Sequence, residues 1–86
     1  MTHYLIINII IDQKIIASYG KNIKNSSLIP ITGMQIEDRA FRKEEPKHIK
    51  NVFIDYENDT YTIYLEPMQN HNYHLMIDNN WHVRAL

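Results

Sequence analysis

The stretch NVFIDYENDTYTIYLE, residues 51–66, decides the fold. Apolar and polar residues alternate on either side of Asn58-Asp59, and a period of two marks a half-buried β-strand. Asn58 and Asp59 both tolerate positive φ, so a two-residue turn there predicts a hairpin. That register sets Tyr56 against Tyr61, Ile54 against Ile63 and Val52 against Leu65 on one face. The other face carries Asp55 with Thr62, Phe53 with Tyr64 and Asn51 with Glu66. A slip of one residue would exchange the two faces, so the pattern itself specifies which side is buried.

Two more hairpins flank this one. At the C-terminal side, a three-residue turn at Asp78-Asn79-Asn80 separates polar from apolar residues between Tyr73 and Leu86. It pairs Ile77 with Trp81, Leu75 with Val83 and Tyr73 with Ala85, leaving His74, Met76, His82 and Arg84 opposite. At the N-terminal side, residues 4–11 are apolar except for Asn8, as in a strand covered on both faces. A turn at Asp12-Gln13-Lys14 brings Ile15, Ala17 and Tyr19 back beside Ile11, Ile9 and Ile7. The competing reading is a helix from Gln13 to Asn25, capped by Asp12, with Ile15, Ile16, Tyr19 and Ile23 along one stripe. Gly20 and the β-branched residues weaken that helix.

Between the hairpins, residues 21–27 read as a polar loop and residues 28–37 as a strand with Pro30 at an edge or bulge. Residues 38–50 form the most hydrophilic stretch, an exposed connection broken by Pro46. The expected fold class is all-β, mostly antiparallel hairpins in a small barrel or curved meander sheet, over a single domain of residues 1–86. The alternative is α+β with one helix near 13–25.

Composition bounds the function. The chain has 86 residues, of which 44% are hydrophobic, and only two are Gly and three Pro, which opposes disorder. It contains no Cys, which favours a reducing, cytoplasmic setting. The apolar run at residues 4–11 lacks a basic leader and a cleavage site and is too short to span a bilayer as a helix. Nine Lys and Arg against ten Asp and Glu give a net charge of -1, without the basic excess of a phosphate-gripping domain.

Four groups of residues carry candidate chemistry. If the second and third hairpins lie side by side, Asp55, Thr62, Tyr64, Glu66, His74, His82 and Arg84 share one polar face. Glu and His exchange protons near neutrality and Arg stabilises an anion, as metal-free ribonucleases require. The plainer reading is a solvated sheet face. His71, His74 and His82 are potential metal ligands. With no Cys and no carboxylate at a fixed offset that signal is weak, so no metal and no cofactor are expected. The segment from Glu37 to Lys50 carries Arg39, Arg42, Lys43, Lys47 and Lys50 among four acidic residues, a mixed pattern typical of a solubilising loop or an interface rim. Finally, Phe53 and Tyr64 form an outward aromatic pair, a residue type enriched in binding hot spots.

The leading functional reading is a small non-enzymatic protein-binding module. It would mask a partner's surface, as inhibitors, immunity proteins and adaptors from mobile elements do. The alternatives are a small nucleic-acid-binding barrel and a metal-independent ribonuclease or toxin. The binding residues singled out are Phe53, Tyr64, Glu66, His74, His82, Arg84, Arg39, Arg42 and Lys43. The doubly apolar first strand leaves two arrangements open. Either the strand is central, or one face meets a second copy in a homodimer, with Tyr4, Ile6 and Ile10 as the contacts.

Overall fold

The computed structural model describes residues 1–24, 27–41 and 46–86. The elements run β1 (Thr2–Ile11), β2 (Lys14–Ile23), β3 (Gln35–Ile36), β4 (Lys47–Asp55), β5 (Thr60–Leu65), α1 (Tyr73–Asp78) and β6 (His82–Val83). The strands form one curled sheet in the order β3-β4-β5-β1-β2-β6, a half-barrel with, among the described residues, a single short helix. Mostly-β is therefore correct, but the sheet is not a meander. β1 lies at the centre and pairs in parallel with β5, while its other neighbour β2 is antiparallel.

The first hairpin forms, and residues 14–23 are strand rather than helix. Its turn is two residues long, not three: Asp12 and Gln13 both adopt positive φ, 51° and 65°, and this twist matches the flanking strands. Tyr19 faces Ile7 and Ala17 faces Ile9, as the alternation requires. Ile10 then faces Ile15, so Ile16 is a bulged residue and the register beyond it shifts.

The hairpin of residues 51–66 keeps its faces but not its register. Val52 faces Ile63 and Ile54 faces Tyr61, two residues out from the expected pairing. The turn is longer because the Asp55 carboxylate organises it, accepting from the backbone N–H of Glu57 at 3.1 Å and of Asn58 at 3.2 Å. It also accepts from the Asn58 amide at 2.8 Å, and Asp59 closes the turn at φ 53°. These hydrogen bonds hold the Asp55 carboxyl below its usual range, that of the Asn58 side chain most of all. A slip of two, unlike a slip of one, leaves every side chain on its original face.

Three further expectations fail. The strand expected over 28–37 is only Gln35–Ile36, and Leu28, Ile29 and Ile31 lie exposed. The expected connection over 38–50 is not simply exposed: Ala40 and Phe41 are buried, and β4 begins at Lys47. Arg42, Lys43, Glu44 and Glu45 lie outside the described residues. The third hairpin does not form. Tyr73–Asp78 is a helix whose first turn is capped by Asn72, its side-chain oxygen accepting from Leu75 N–H at 3.1 Å. Asn80 then turns the chain at φ 70°, and only His82–Val83 is strand.

One face of the sheet supplies Leu5, Ile7, Ile9, Tyr19, Ile49, Ile63 and Leu65 to the core. Ala40, Phe41, Met68, Met76 and Trp81 close over them. Burial ranks the substitutions. Ile63→Ala is expected to cost about 2 to 3 kcal/mol in a urea titration. Ile54, which is 47% exposed, should lose only about 1 kcal/mol on the same change. Equal costs at the two positions would mean that the far end of the hairpin is covered.

His3 is buried at the N-terminal end of β1, with the Tyr61 ring edge-on at 5.3 Å. Its Nε2 has no hydrogen-bond partner. Burial lowers its pKa, opposed by a hydrogen bond to the Leu28 backbone and reinforced slightly by the N-terminal ammonium. The unfolded chain therefore takes up a proton at the ordinary histidine value of about 6.5, while the fold resists until lower pH. Stability is expected to be full above that value and to decline as pH falls from it towards the folded-state value. Urea midpoints from pH 8 to 5 should show this slope, and His3→Phe should flatten it.

Candidate functional site: the open face of the sheet

The face turned away from the core is read by the same alternation. One row across it runs Phe53, Thr62, Tyr4 and the next Tyr64, Ile6, Gly20, His82. A third carries Asn8 and Ser18, with Arg84 N–H donating to Ser18 O at 2.9 Å. Ile6 is buried within one chain, while Tyr4, Tyr64 and Arg84 are half-buried and Phe53 and His82 are exposed. The helix and the segment at Ala40 and Phe41 send their buried side chains to the opposite face.

Two aromatic pairs dominate this surface. Phe53 meets Tyr64 edge to face, centroids 5.7 Å apart at 81°. Tyr4 stacks on His82 at 5.7 Å and 21°, and its hydroxyl is hydrogen-bonded to His82 Nε2 at 2.9 Å. The Tyr4 ring lies diagonally over Gly20, where a Cβ would fall inside its hydroxyl and ring carbons. Gly20→Ala is thus expected to cost about 1 to 3 kcal/mol and to detach Tyr4 from His82. Most of the penalty should vanish in a Tyr4→Ala background, which a double-mutant cycle measures. Additive costs would show that the ring does not occupy this space.

Arg84 donates from Nη1 to the hydroxyl of Ser18, which is buried, at 2.9 Å. Among the described residues no carboxylate lies within ion-pair distance of Arg84. Glu66, by contrast, is engaged elsewhere. Its carboxylate accepts from His48 N–H at 3.0 Å and bonds the His48 ring at Nδ1 at 3.1 Å. These bonds, backbone first, hold the Glu66 carboxyl below its usual range. Gln35 Nε2 lies 3.0 Å from the other ring nitrogen of His48.

Of the expected acid–base grouping, Glu66 and His82 therefore share a face but not a site, and His74 is not on the sheet. Glu66 is on the β5 side and His82 on β6, with β1 and β2 between them. Three strand spacings separate them by about 14 Å along the sheet, beyond direct proton transfer. His74 is on α1, edge-on to the Tyr73 ring at 5.6 Å, rather than on a strand beside His82. His71 sits against Tyr19 at 5.5 Å. Among the described residues no group of three His, Asp or Glu is placed to hold a metal ion. Arg39 is exposed beside the buried Ala40, and Arg42 and Lys43 are outside the described residues.

Sequence reasoning named Tyr4 only as a homodimer contact, without its pairing to His82, and missed His48. A glycine in mid-strand was the available signal for Tyr4, since such a gap invites a neighbouring ring. Among the described residues no helix is long and apolar enough to cross a membrane. Comparison with protein-family models, curated proteins and solved structures finds no match.

Proposed function

We propose that this chain is a non-enzymatic protein-binding module that masks a partner's surface with the open face of its sheet, as an inhibitor, immunity protein or adaptor does. The observation that carries the reading is the Phe53–Tyr64 pair, left open to solvent with Phe53 at 59% exposure. Tyr4, His82 and Arg84 continue the surface across the sheet, and buried aromatic and arginine anchors dominate binding energies at protein interfaces. The cysteine-free composition supports a cytoplasmic setting.

A nucleic-acid-binding reading is supported by the same rings as base-stacking platforms. It is weakened by Asp55 on this face and by the scarcity of cations there among the described residues, since phosphate backbones demand several. The test uses the immobilised chain and a Phe53→Ser/Tyr64→Ser variant of unchanged circular dichroism. Nuclease-treated source lysate is passed over both. The expected result is a protein retained by the first and lost from the second. Retention of no protein that depends on the two residues, or of protein only when the lysate is left untreated with nuclease, overturns the proposal.

A further inference from the structure

The guanidinium of Arg84 is held in place without a counter-ion among the described residues, and that combination asks for a ligand. Lys21, also a half-buried cation, is neutralised by Asp38 at 2.6 Å. Arg84 has no such partner among the described residues and is instead fixed by the buried Ser18 hydroxyl at 2.9 Å. Its neighbours across this part of the face, Asn8, Ser18 and Gly20, are uncharged. His82 lies two positions back along the chain, in β6, about 6.5 Å away at extended spacing, and is hydrogen-bonded to Tyr4.

We infer that Arg84 and His82 form an anchoring subsite for a carboxylate side chain of a protein partner. This inference rests on the protein-binding reading above and specifies its chemistry. A preset planar guanidinium suits the two oxygens of a carboxylate, and fixing it in advance reduces the entropy lost on binding. A carboxylate fits better than a phosphate backbone. The subsite holds one permanent charge, and a polyanion running on across the sheet would meet Asp55 beyond the Phe53 ring. The acidic group would bind at the β6 end while the aromatic pair grips an adjoining apolar side chain.

The full chain, isotopically labelled, is titrated at low salt with an acetylated and amidated hexaglutamate peptide. In parallel it is titrated with inorganic phosphate and with a single-stranded oligothymidine. Amide shifts are expected with the peptide and to centre on Ser18, Gly20, His82 and Arg84. Arg84→Gln should weaken this binding at least tenfold and a change at the exposed Lys24, Lys24→Gln, should leave it unchanged. Shifts scattered over the surface, or equal affinity in the Arg84→Gln protein, overturn the subsite. So does tighter binding of phosphate or the oligonucleotide than of the peptide. Should Arg84→Gln fail to fold, the shift map of the unmodified protein decides alone. The two proposals separate cleanly. A partner lost with Phe53→Ser/Tyr64→Ser but indifferent to Arg84→Gln removes the subsite and leaves the module standing.

Discussion

Trp81→Ala is expected to cost about 4 to 5 kcal/mol, a large part of the stability of a domain this size. The indole is 2% exposed and lies where three separate segments meet. Phe41 packs against it with centroids 5.8 Å apart, and the Lys21 ammonium sits 5.7 Å from its centroid. Its Nε1–H donates to Asp38 at 3.2 Å, and its backbone N–H closes the end of α1 on Met76 O at 3.1 Å. Alanine would keep the last of these and lose the rest, opening a cavity under the helix. Trp81→Phe retains most of the volume and should cost about 1 to 2 kcal/mol. Trp81 is the chain's single tryptophan, so urea unfolding of the alanine variant must be followed by circular dichroism rather than fluorescence. A loss below 1 kcal/mol would mean that the helix and the 38–41 segment do not close the core.

Asp38→Ala follows at about 3 to 4 kcal/mol. One oxygen of this carboxylate binds Lys21 at 2.6 Å. The other accepts from Ala40 N–H at 2.9 Å and from the Trp81 indole. Removing it strands a half-buried ammonium and two donors, and orphaned groups cost more than a missing bond. Adding Lys21→Met should therefore recover part of the loss, so that the double variant is more stable than Asp38→Ala alone. If Lys21→Met only adds to the damage, the charge is not what the carboxylate satisfies.

Trp81 was legible as an apolar-face residue, though of a hairpin that does not form; Asp38 was not legible as structural, and the reason is local. Asp38 opens the most hydrophilic stretch of the sequence, where a carboxylate signals solvent. Only its long-range partners, Lys21 and Trp81, give it a different role. Tyr73–Asp78 was misread because a six-residue span serves two periods at once. Tyr73, Leu75 and Ile77 alternate as in a strand, while Tyr73, Met76 and Ile77 fall at helical spacing. The arbiter was Asn72, a residue type that caps helices, and it outweighed the alternation.

The open face survived better than the register that described it. Phe53 and Tyr64 meet because the hairpin slipped by an even number of residues. Which strands lie between the candidate residues could not be read in the same way. The parallel pairing of β1 with β5 joins distant segments, and no local pattern encodes it.

That pairing also dictates an order of events on the ribosome. β1 meets β2 across a two-residue turn within microseconds of its emergence. Its other edge waits for Thr60–Tyr64 to be made. At bacterial to eukaryotic elongation rates the delay is about 3 to 12 s. Through that interval the nascent chain presents an isoleucine-rich strand with one side unbonded, the kind of segment on which aggregation starts. Translation arrest after β2 would leave it in that state indefinitely. Production of the protein is therefore governed less by the stability of the finished sheet than by what shields β1 until β5 arrives.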